Sequence, residues 1–261
     1  MPAVRRYVKS MAGSALLRSG LYGRFVGAEG TIIAFHRIDD RYPDNPITTT
    51  VREFRAFCDL FRGHFDVVPL PEFLDELDAG RPLEGKLAIT FDDGYRDNHR
   101  TAAPYLDKLG LPATFFISTG FIGTERVPWW DDEAGIPSRW MSWTEVEELH
   151  RGGFGLGNHT VNHVDMGVTP VEEARMELRE AGTELEGITG ESVDLFAYPF
   201  GRAHQLSDEN RAMVRELGFR CALSCHGGRV SPGEDPYHLR RVPISPWFRG
   251  AGQFAFELLR P

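Results

Sequence analysis

The sequence predicts an α/β protein built as a single distorted (β/α) barrel. Two observations lead to this fold class. About eight short apolar segments recur along the chain, and segments with helical spacing of apolar residues separate most of them, which is the pattern of parallel strands joined by helices. The length of 261 residues is also typical of such barrels, in which functional side chains lie at the C-terminal ends of the strands.

The predicted strands share short runs of apolar or β-branched residues that stop at polar residues or turns. They cover residues 31–36, 65–70, 87–91, 113–118, 154–158, 193–198, 220–224 and 240–244. The predicted helices show apolar residues at helical spacing or helix-start and helix-end signals. They begin with the capping-box pattern Thr50-x-x-Glu53 and continue with residues 71–79, 101–109, 144–151, 171–187 and 207–217.

Residues 121–141 have no regular period and contain Trp129, Trp130 and Trp140. We predict a long loop there. Tryptophan rings on such a loop either fill the core or stack on sugar rings.

The overall charge is acidic, because 29 Lys and Arg residues face 38 Asp and Glu residues for a formal charge of −9. This balance argues against a nucleic-acid partner. The three cysteines, Cys58, Cys221 and Cys225, cannot form a disulfide framework. The cluster of Cys221, Cys225 and His226 is a weak metal candidate, since no second half-site accompanies it.

Residues 1–29 form a predicted basic helical segment, in which several arginines and lysines precede the first acidic residue, Glu29. Arg18 interrupts the apolar run at residues 11–17, so no standard secretory signal is recognised, and no apolar run is long enough to cross a membrane. We therefore expect a cytoplasmic protein. The segment either touches an anionic membrane surface weakly or packs on the domain with its basic face in water.

The strongest functional signal lies where two predicted strands end. Asp92 and Asp93 directly follow one strand, and burying unpaired carboxylates is costly unless a cation or hydrogen-bond donors compensate. His159 and His163 follow another strand, four residues apart. On a helical turn this spacing places both rings on one face. With Asp93 they make a set of two histidines and one carboxylate that leaves metal positions open for water and substrate.

The motifs around these residues resemble those of the polysaccharide deacetylases with the NodB-homology domain, carbohydrate esterase family 4. Residues 90–94, Thr-Phe-Asp-Asp-Gly, resemble the first motif of the family, and residues 159–163, His-Thr-Val-Asn-His, resemble the second. The resemblance covers about residues 30–245. It implies that residues 30–261 form a deacetylase-like domain folded as a distorted (β/α) barrel.

The same resemblance implies roles for individual side chains. Asp93, His159 and His163 would bind a divalent metal ion, usually zinc, and Asp92 would be the catalytic base. Amide hydrolysis needs an activated water and a stabilised oxyanion, which a divalent metal and a neighbouring carboxylate can supply together.

The third family motif, Arg-x-Pro-[Tyr/Phe]-Gly, is altered here to Ala-Tyr-Pro-Phe-Gly at residues 197–201. A backbone N–H near Phe200 can still serve an oxyanion, but the arginine that would orient the catalytic aspartate is missing. Arg241 or Arg240, on the last predicted strand, is our candidate replacement. The turn supplies three candidate substrate-binding residues: Tyr198, Pro199 and Phe200.

The late Leu-x-His motif of the family, which supplies a histidine acid, has no clean counterpart. His226 and His238 are candidates by position only, and an ordinary loop histidine is the favoured interpretation of each. His36 is the better candidate because it ends the first strand, although a structural histidine would look the same. The predicted catalytic set is therefore Asp92, His36 and Arg241.

These observations predict a metal-dependent hydrolase that removes an N-acyl group, chiefly acetyl, from an amino sugar of a glycan or glycolipid. An amidase acting on a small non-sugar amide or cyclic imide is the alternative that the altered third motif keeps open. A catalytically silent carbohydrate-binding domain is a third interpretation. Measurements of metal content and of acetate release distinguish these three interpretations.

Overall fold

A curled, parallel β-sheet surrounded by helices forms the protein. The computed structural model describes residues 2–19, 27–248 and 250–259, with side chains from residue 7 onward. The main sheet has eight strands in the order β10-β1-β5-β6-β7-β8-β9, with β4 paired to β5. All of its strand pairs are parallel, which confirms the predicted distorted (β/α) barrel.

The strands of the main sheet are short. They are β1 (Thr31–Phe35), β4 (Asp66–Val67), β5 (Lys86–Phe91), β6 (Thr114–Ile117), β7 (Gly155–Asn158), β8 (Leu195–Ala197), β9 (Cys221–Leu223) and β10 (Val242–Pro243). Two further strands, β2 (Arg37–Ile38) and β3 (Thr48–Thr49), form a separate parallel pair.

The helices occupy the predicted segments and two others. They are α1 (Pro2–Arg18), α2 (Val51–His64), α3 (Leu70–Asp78), α4 (Ala103–Leu109), α5 (Trp129–Glu133), α6 (Trp143–Arg151), α7 (Val171–Thr189), α8 (Asp208–Glu216) and α9 (Ala251–Leu258). The capping box at the start of α2 is present. Helix α5 lies inside residues 121–141, where the sequence predicts only a loop, and helix α9 was not predicted.

Three stacked phenylalanines set the register of the central strands. Phe35 of β1 lies beside Phe91 of β5, which lies beside Phe115 of β6, and the ring centroids are 5.3 and 4.8 Å apart. These rings belong to the large core cluster that also contains Phe54 of α2. Since successive side chains of a strand point to opposite faces, the next residues, His36 and Asp92, turn away from this cluster. Aromatic packing between sheet and helices therefore helps to place the polar strand ends.

A buried carboxylate ties the segment after β5 to helix α6. Glu145 accepts hydrogen bonds from Arg96 Nε and Arg100 Nε, and its side chain also accepts from the backbone N–H of Ser142 in the capping box of α6. Burial would raise the pKa of Glu145, but the Ser142 N–H and the two arginines lower it. The carboxylate is therefore ionised at neutral pH and stabilises the fold in that form.

Replacing Glu145 with glutamine is expected to lower the free energy of unfolding by about 2 kcal/mol at pH 7, because the cap and the two arginines lose their anion. A carboxylate with a lowered folded-state pKa stabilises fully above its unfolded-state pKa and loses this effect as the pH falls through the folded-state value. The difference between wild type and Glu145→Gln should therefore shrink below about pH 4. Urea unfolding of both proteins at several pH values measures this difference in stability. Glu147→Gln is the matched control. Glu147 forms an exposed pair with Arg151, and its replacement should change stability by less than about 1 kcal/mol.

Helix α1 packs closely against α9, and Gly13 fits where a Cβ would meet the Gly252 carbonyl oxygen at 1.9 Å. Lys9 pairs with Glu257 of α9. Apolar side chains on α1 are nevertheless exposed, among them Tyr7, Val8 and Met11.

In the described part of the chain, no helix combines the length and apolar character needed to span a bilayer. The arginine side chains at residues 5, 6 and 24 and the apolar residues 21, 22 and 25 lie outside the described side chains, and weak membrane contact stays a prediction.

Candidate active site

The site begins where β5 ends. The N–H of Asp92 donates to the carbonyl of Phe35, 2.9 Å away, and so extends the strand pairing by one step. Asp93 then adopts a left-handed conformation, with φ at 75°. This change of backbone direction separates the two carboxylates, which are both buried. Asp92 and Asp93 accordingly meet different partners, as the sequence predicts for adjacent residues.

Asp93 lies against the two histidines singled out in the sequence. Its Oδ1 atom is 3.3 Å from His159 Nε2 and 3.3 Å from His163 Nε2. All three residues are buried, and one ligand atom from each lies within 4.8 Å of the others. A carboxylate and two imidazoles at these separations are a typical donor set for zinc and related divalent ions.

The hydrogen bonding of His159 leaves a lone pair directed at Asp93. Its Nδ1 atom lies 2.7 Å from the carbonyl oxygen of Ala197 in β8. A carbonyl can only accept, so Nδ1 carries a proton, and in the tautomer protonated only at Nδ1 the Nε2 atom is an acceptor. This arrangement of one imidazole nitrogen bonded to a backbone carbonyl is common behind metal ligands.

Two acceptors therefore face each other in a buried space. Among the described residues, Asp93 Oδ1 has no hydrogen-bond partner. Burial would raise the pKa of Asp93, but the adjacent imidazoles hold it well below its usual range, whereas burial lowers the pKa of His163. An ionised carboxylate beside His163, whose pKa is lowered, and beside the Nε2 atom of His159 fits a cation, so these residues suit a divalent metal.

Left-handed backbone concentrates at this end of the barrel. Within the described ranges, the non-glycine residues with positive φ are Asp93, Thr160, His163 and Phe200. Such conformations cost free energy and tend to persist at functional sites.

The left-handed backbone also corrects one inference from the sequence, because residues 159–163 do not form a helical turn. Left-handed residues at 160 and 163 turn the chain instead, and this turn brings the two imidazoles together.

Arg241 meets Asp92 through a two-pronged contact. Its Nη1 atom donates to Asp92 Oδ1 at 2.7 Å and its Nη2 atom donates to Oδ2 at 2.6 Å. The guanidinium is 0% exposed and is also bonded to Thr90 Oγ1 and to the carbonyl of Ser224. Burial would raise the pKa of Asp92, but the charge of Arg241 lowers it. Arg240, the other candidate, pairs with Glu234 instead.

His36 and Cys225 complete the surroundings of Asp92. His36 Nε2 lies 3.8 Å from Asp92 Oδ2, and the His36 side chain is 17% exposed. The Cys225 thiol donates to the same oxygen at 3.7 Å. Burial raises the pKa of this thiol to about 12. The sequence placed Cys225 with Cys221 and His226, and the structure places it beside the catalytic candidate.

The turn at residues 197–201 only partly matches its predicted role in substrate binding. Tyr198 is fully buried in a cluster with Phe196 and Met213, so the prediction that it contacts substrate is wrong for its side chain. Tyr198 directly follows β8, and its ring points into the core as a side chain of the strand would. Pro199 is also buried, whereas Phe200 is partly exposed and packs on His163 with ring centroids 4.6 Å apart.

Two tryptophans of helix α5 also border the site. The Trp130 ring lies 4.6 Å from the His163 ring, on which Phe200 also packs. The Nε1 atom of Trp130 donates to Tyr95 Oη at 2.9 Å. Trp129 is 59% exposed and lies roughly parallel to Phe200 at 6.3 Å. The third tryptophan, Trp140, is buried and stacks on Tyr95. The sequence signals aromatic enrichment, but not which ring faces solvent.

A buried ion pair holds helix α5 in place. Asp131 Oδ2 accepts hydrogen bonds from Arg37 Nη2 at 2.6 Å and from Tyr95 Oη at 3.1 Å.

His226 and His238, the other candidate acids, lie beside each other with Nε2 atoms 3.4 Å apart. Neither has an ion pair or hydrogen bond to Asp92 or Asp93 among the described contacts.

Fold and site together define an α/β barrel protein with a candidate metal centre at the carboxyl ends of its strands. Residues 79–222 match the family model for polysaccharide deacetylase. Because this match covers more than half of the chain, the protein belongs to the polysaccharide deacetylase family.

Two curated relatives are similar to this chain in sequence. YxkH of Bacillus subtilis (strain 168) is 25% identical over 228 residues, which cover 86% of this chain and 75% of YxkH. A poly-beta-1,6-N-acetyl-D-glucosamine N-deacetylase of Staphylococcus aureus is 25% identical over 185 residues, which cover 67% of this chain and 60% of the relative. The matched region is thus shorter than two thirds of that enzyme.

Two solved structures show the same fold. The deacetylase PplD of Streptococcus pyogenes superposes with a TM-score of 0.74 at 20% identity, over 89% of this chain and 99% of PplD. IcaB of Ammonifex degensii superposes with a TM-score of 0.73 at 23% identity, over 88% of this chain and 98% of IcaB.

Proposed function

We propose that the protein is a metal-dependent hydrolase that removes the N-acetyl group from an amino sugar of a glycan. The observation that carries this proposal is the pairing of two neighbouring carboxylates with different partners. Asp93 faces two imidazole nitrogens that suit a metal, and Asp92 is ionised beside Arg241. Family membership supports deacetylation, and the named activity of the Staphylococcus aureus relative favours a polymer of N-acetylglucosamine as the substrate.

In this proposal Asp93, His159 and His163 hold a divalent ion, with zinc as the first candidate. Such an ion lowers the pKa of water and polarises a carbonyl when bound. His159 is oriented by its bond to Ala197. The rings of Trp130 and Phe200 pack against His163 and restrict its rotation and its access to bulk water.

Asp92 is the proposed base, which accepts a proton from the attacking water. Arg241 is a positioning residue, because its two hydrogen bonds fix the plane of the carboxylate and keep it ionised. His36 is the proposed acid for the departing amine, since its Nε2 atom lies beside Asp92 and its side chain is partly exposed. The backbone N–H of Phe200 is the proposed second donor to the oxyanion.

Acetate release tests the proposal. Protein stripped with a chelator and then given one equivalent of Zn²⁺ should release acetate from β-1,6-linked N-acetylglucosamine oligomers, and the stripped protein should not. Ring opening of small cyclic imides by the same preparation, without acetate release, would instead support the amidase alternative. Oligomer binding without turnover at any metal loading would support the silent binding domain.

Trp129 is expected to contribute to substrate binding, because its exposed ring lies next to Phe200 at the edge of the site. Trp129→Ala should raise KM for oligomers by about two- to twelvefold, in line with about 0.5–1.5 kcal/mol for an aromatic contact, and should change kcat less. Trp129→Phe should keep most of the affinity. Steady-state kinetics on oligomers measure both, and an unchanged KM in Trp129→Ala would remove this ring from the binding surface.

A further inference from the structure

A second group of metal-binding atoms lies beside the proposed metal centre. His36 Nε2, Asp92 Oδ2 and Cys225 Sγ all lie within 4.8 Å of one another. The histidine and the cysteine are partly exposed, and the aspartate is buried. An imidazole, a carboxylate and a thiol together are a common donor set for zinc and for softer ions such as cadmium.

The separations from Asp92 Oδ2 in this cluster are close to those between two ligands of one metal ion. Asp92 Oδ2 is 3.8 Å from His36 Nε2 and 3.7 Å from Cys225 Sγ. With usual zinc bond lengths of about 2.0–2.3 Å, two ligands of a tetrahedral ion lie about 3.3–3.6 Å apart. Both distances from Asp92 Oδ2 therefore exceed this spacing by only a few tenths of an ångström, and His36 Nε2 and Cys225 Sγ lie within 4.8 Å of each other.

We propose that His36, Asp92 and Cys225 form a second, inhibitory metal site that binds Zn²⁺ or Cd²⁺ once the site at Asp93, His159 and His163 is filled. Binding at the three donors does not depend on the proposed function. The inhibition does, because it requires Asp92 to be the base.

The charge balance of the site limits its affinity. On binding, the Cys225 thiol loses its proton to the solvent as the bond from sulfur to the metal forms, so the ion meets a thiolate and a carboxylate. Arg241 opposes the cation, but its Nη2 atom lies 3.1 Å from Cys225 Sγ and can donate to the thiolate. The nearby guanidinium weakens binding of a cation. We therefore expect this site to fill after the first one and only at excess metal.

An ion held here would disable the proposed mechanism. A coordinated Asp92 cannot accept a proton, and a coordinated His36 cannot deliver one. Activity should accordingly rise with the first equivalent of Zn²⁺ and fall as more is added.

Cadmium titration tests the binding step. Protein loaded with one equivalent of Zn²⁺ is titrated with Cd²⁺ while the ultraviolet charge-transfer band of a cadmium–thiolate bond is recorded. The first site contains no sulfur, so exchange of its ion gives no such band. We expect a band that saturates in wild type and in Cys58→Ala, which keeps Cys225, and no band in Cys225→Ala.

His36→Ala adds an independent measurement, because it keeps the thiolate but removes one ligand. Its band should remain and should saturate only at about tenfold or more higher Cd²⁺. The ratio of activity at excess metal to activity at one equivalent should rise towards one in Cys225→Ala. Lack of a band in wild type, or a band that survives in Cys225→Ala, would overturn the proposal. Absence of acetate release at one equivalent of Zn²⁺ would count against the proposed function alone.

The pair of His226 and His238 is the other place where excess metal could bind. His238→Ala serves as the control for that pair. It should leave both the charge-transfer band and the inhibition ratio unchanged, and loss of inhibition in this variant would assign the inhibitory ion to the histidine pair instead.

Discussion

Asp92→Asn is expected to lower kcat by about 10²- to 10⁴-fold and to leave the metal content at one equivalent. The factor is the usual contribution of a positioned general base. Asparagine has nearly the same shape as aspartate but cannot accept the proton of the attacking water. Metal content should persist because Asp93, His159 and His163 hold their donor atoms together without Asp92. Acetate release and metal analysis on the same preparation measure the two quantities.

Asp93→Asn is the matched neighbour for this experiment. It removes the charge that faces both imidazoles, so metal content should fall first and activity should fall with it. The two variants thus separate the role of base from that of ligand at adjacent positions. If Asp92→Asn lost the metal and Asp93→Asn kept it, the two roles would be reversed.

The fold could be predicted from the sequence because its signals are local and repeated. Each strand is a short apolar run, and each helix carries its own spacing or cap, such as the Thr50 and Glu53 box that the structure contains. Helix α5 was missed because five residues within a tryptophan-rich loop give too short a pattern to show a period. Tyr198 was misassigned because its ring direction depends on where β8 ends.

The candidate site was only partly predictable. The cluster of Asp93, His159 and His163 follows from parallel strands whose ends meet at one edge. Left-handed backbone, rather than the helical turn suggested by the spacing, brings the two histidines together. The partner of Asp92 is 149 positions away along the chain, and the sequence offered Arg241, with Arg240 as the neighbouring candidate, only because both lie on the last predicted strand. Which of them reaches Asp92 depends on the orientation of the last strand.

Arg241→Met is expected to lower the free energy of unfolding by about 3–5 kcal/mol at pH 7, because it leaves the buried Asp92 carboxylate without its cation. The same change should reduce kcat by about tenfold or more, since the unpaired carboxylate takes up a proton more readily and loses its fixed orientation. Arg241→Lys should recover little activity, because an ammonium lacks the rigid planar fork that matches both carboxylate oxygens. Urea unfolding and acetate release measure these effects.

Arg240→Met is the matched control, since the neighbouring arginine pairs with Glu234 near the surface and should change stability by less than about 1 kcal/mol. The double variant Arg241→Met/Asp92→Asn separates structure from catalysis. It removes both buried charges, so it should regain much of the stability lost in Arg241→Met while remaining inactive. Normal kcat in Arg241→Met would show that Asp92 needs no charge partner. The arginine missing from the altered third motif would then have no functional replacement.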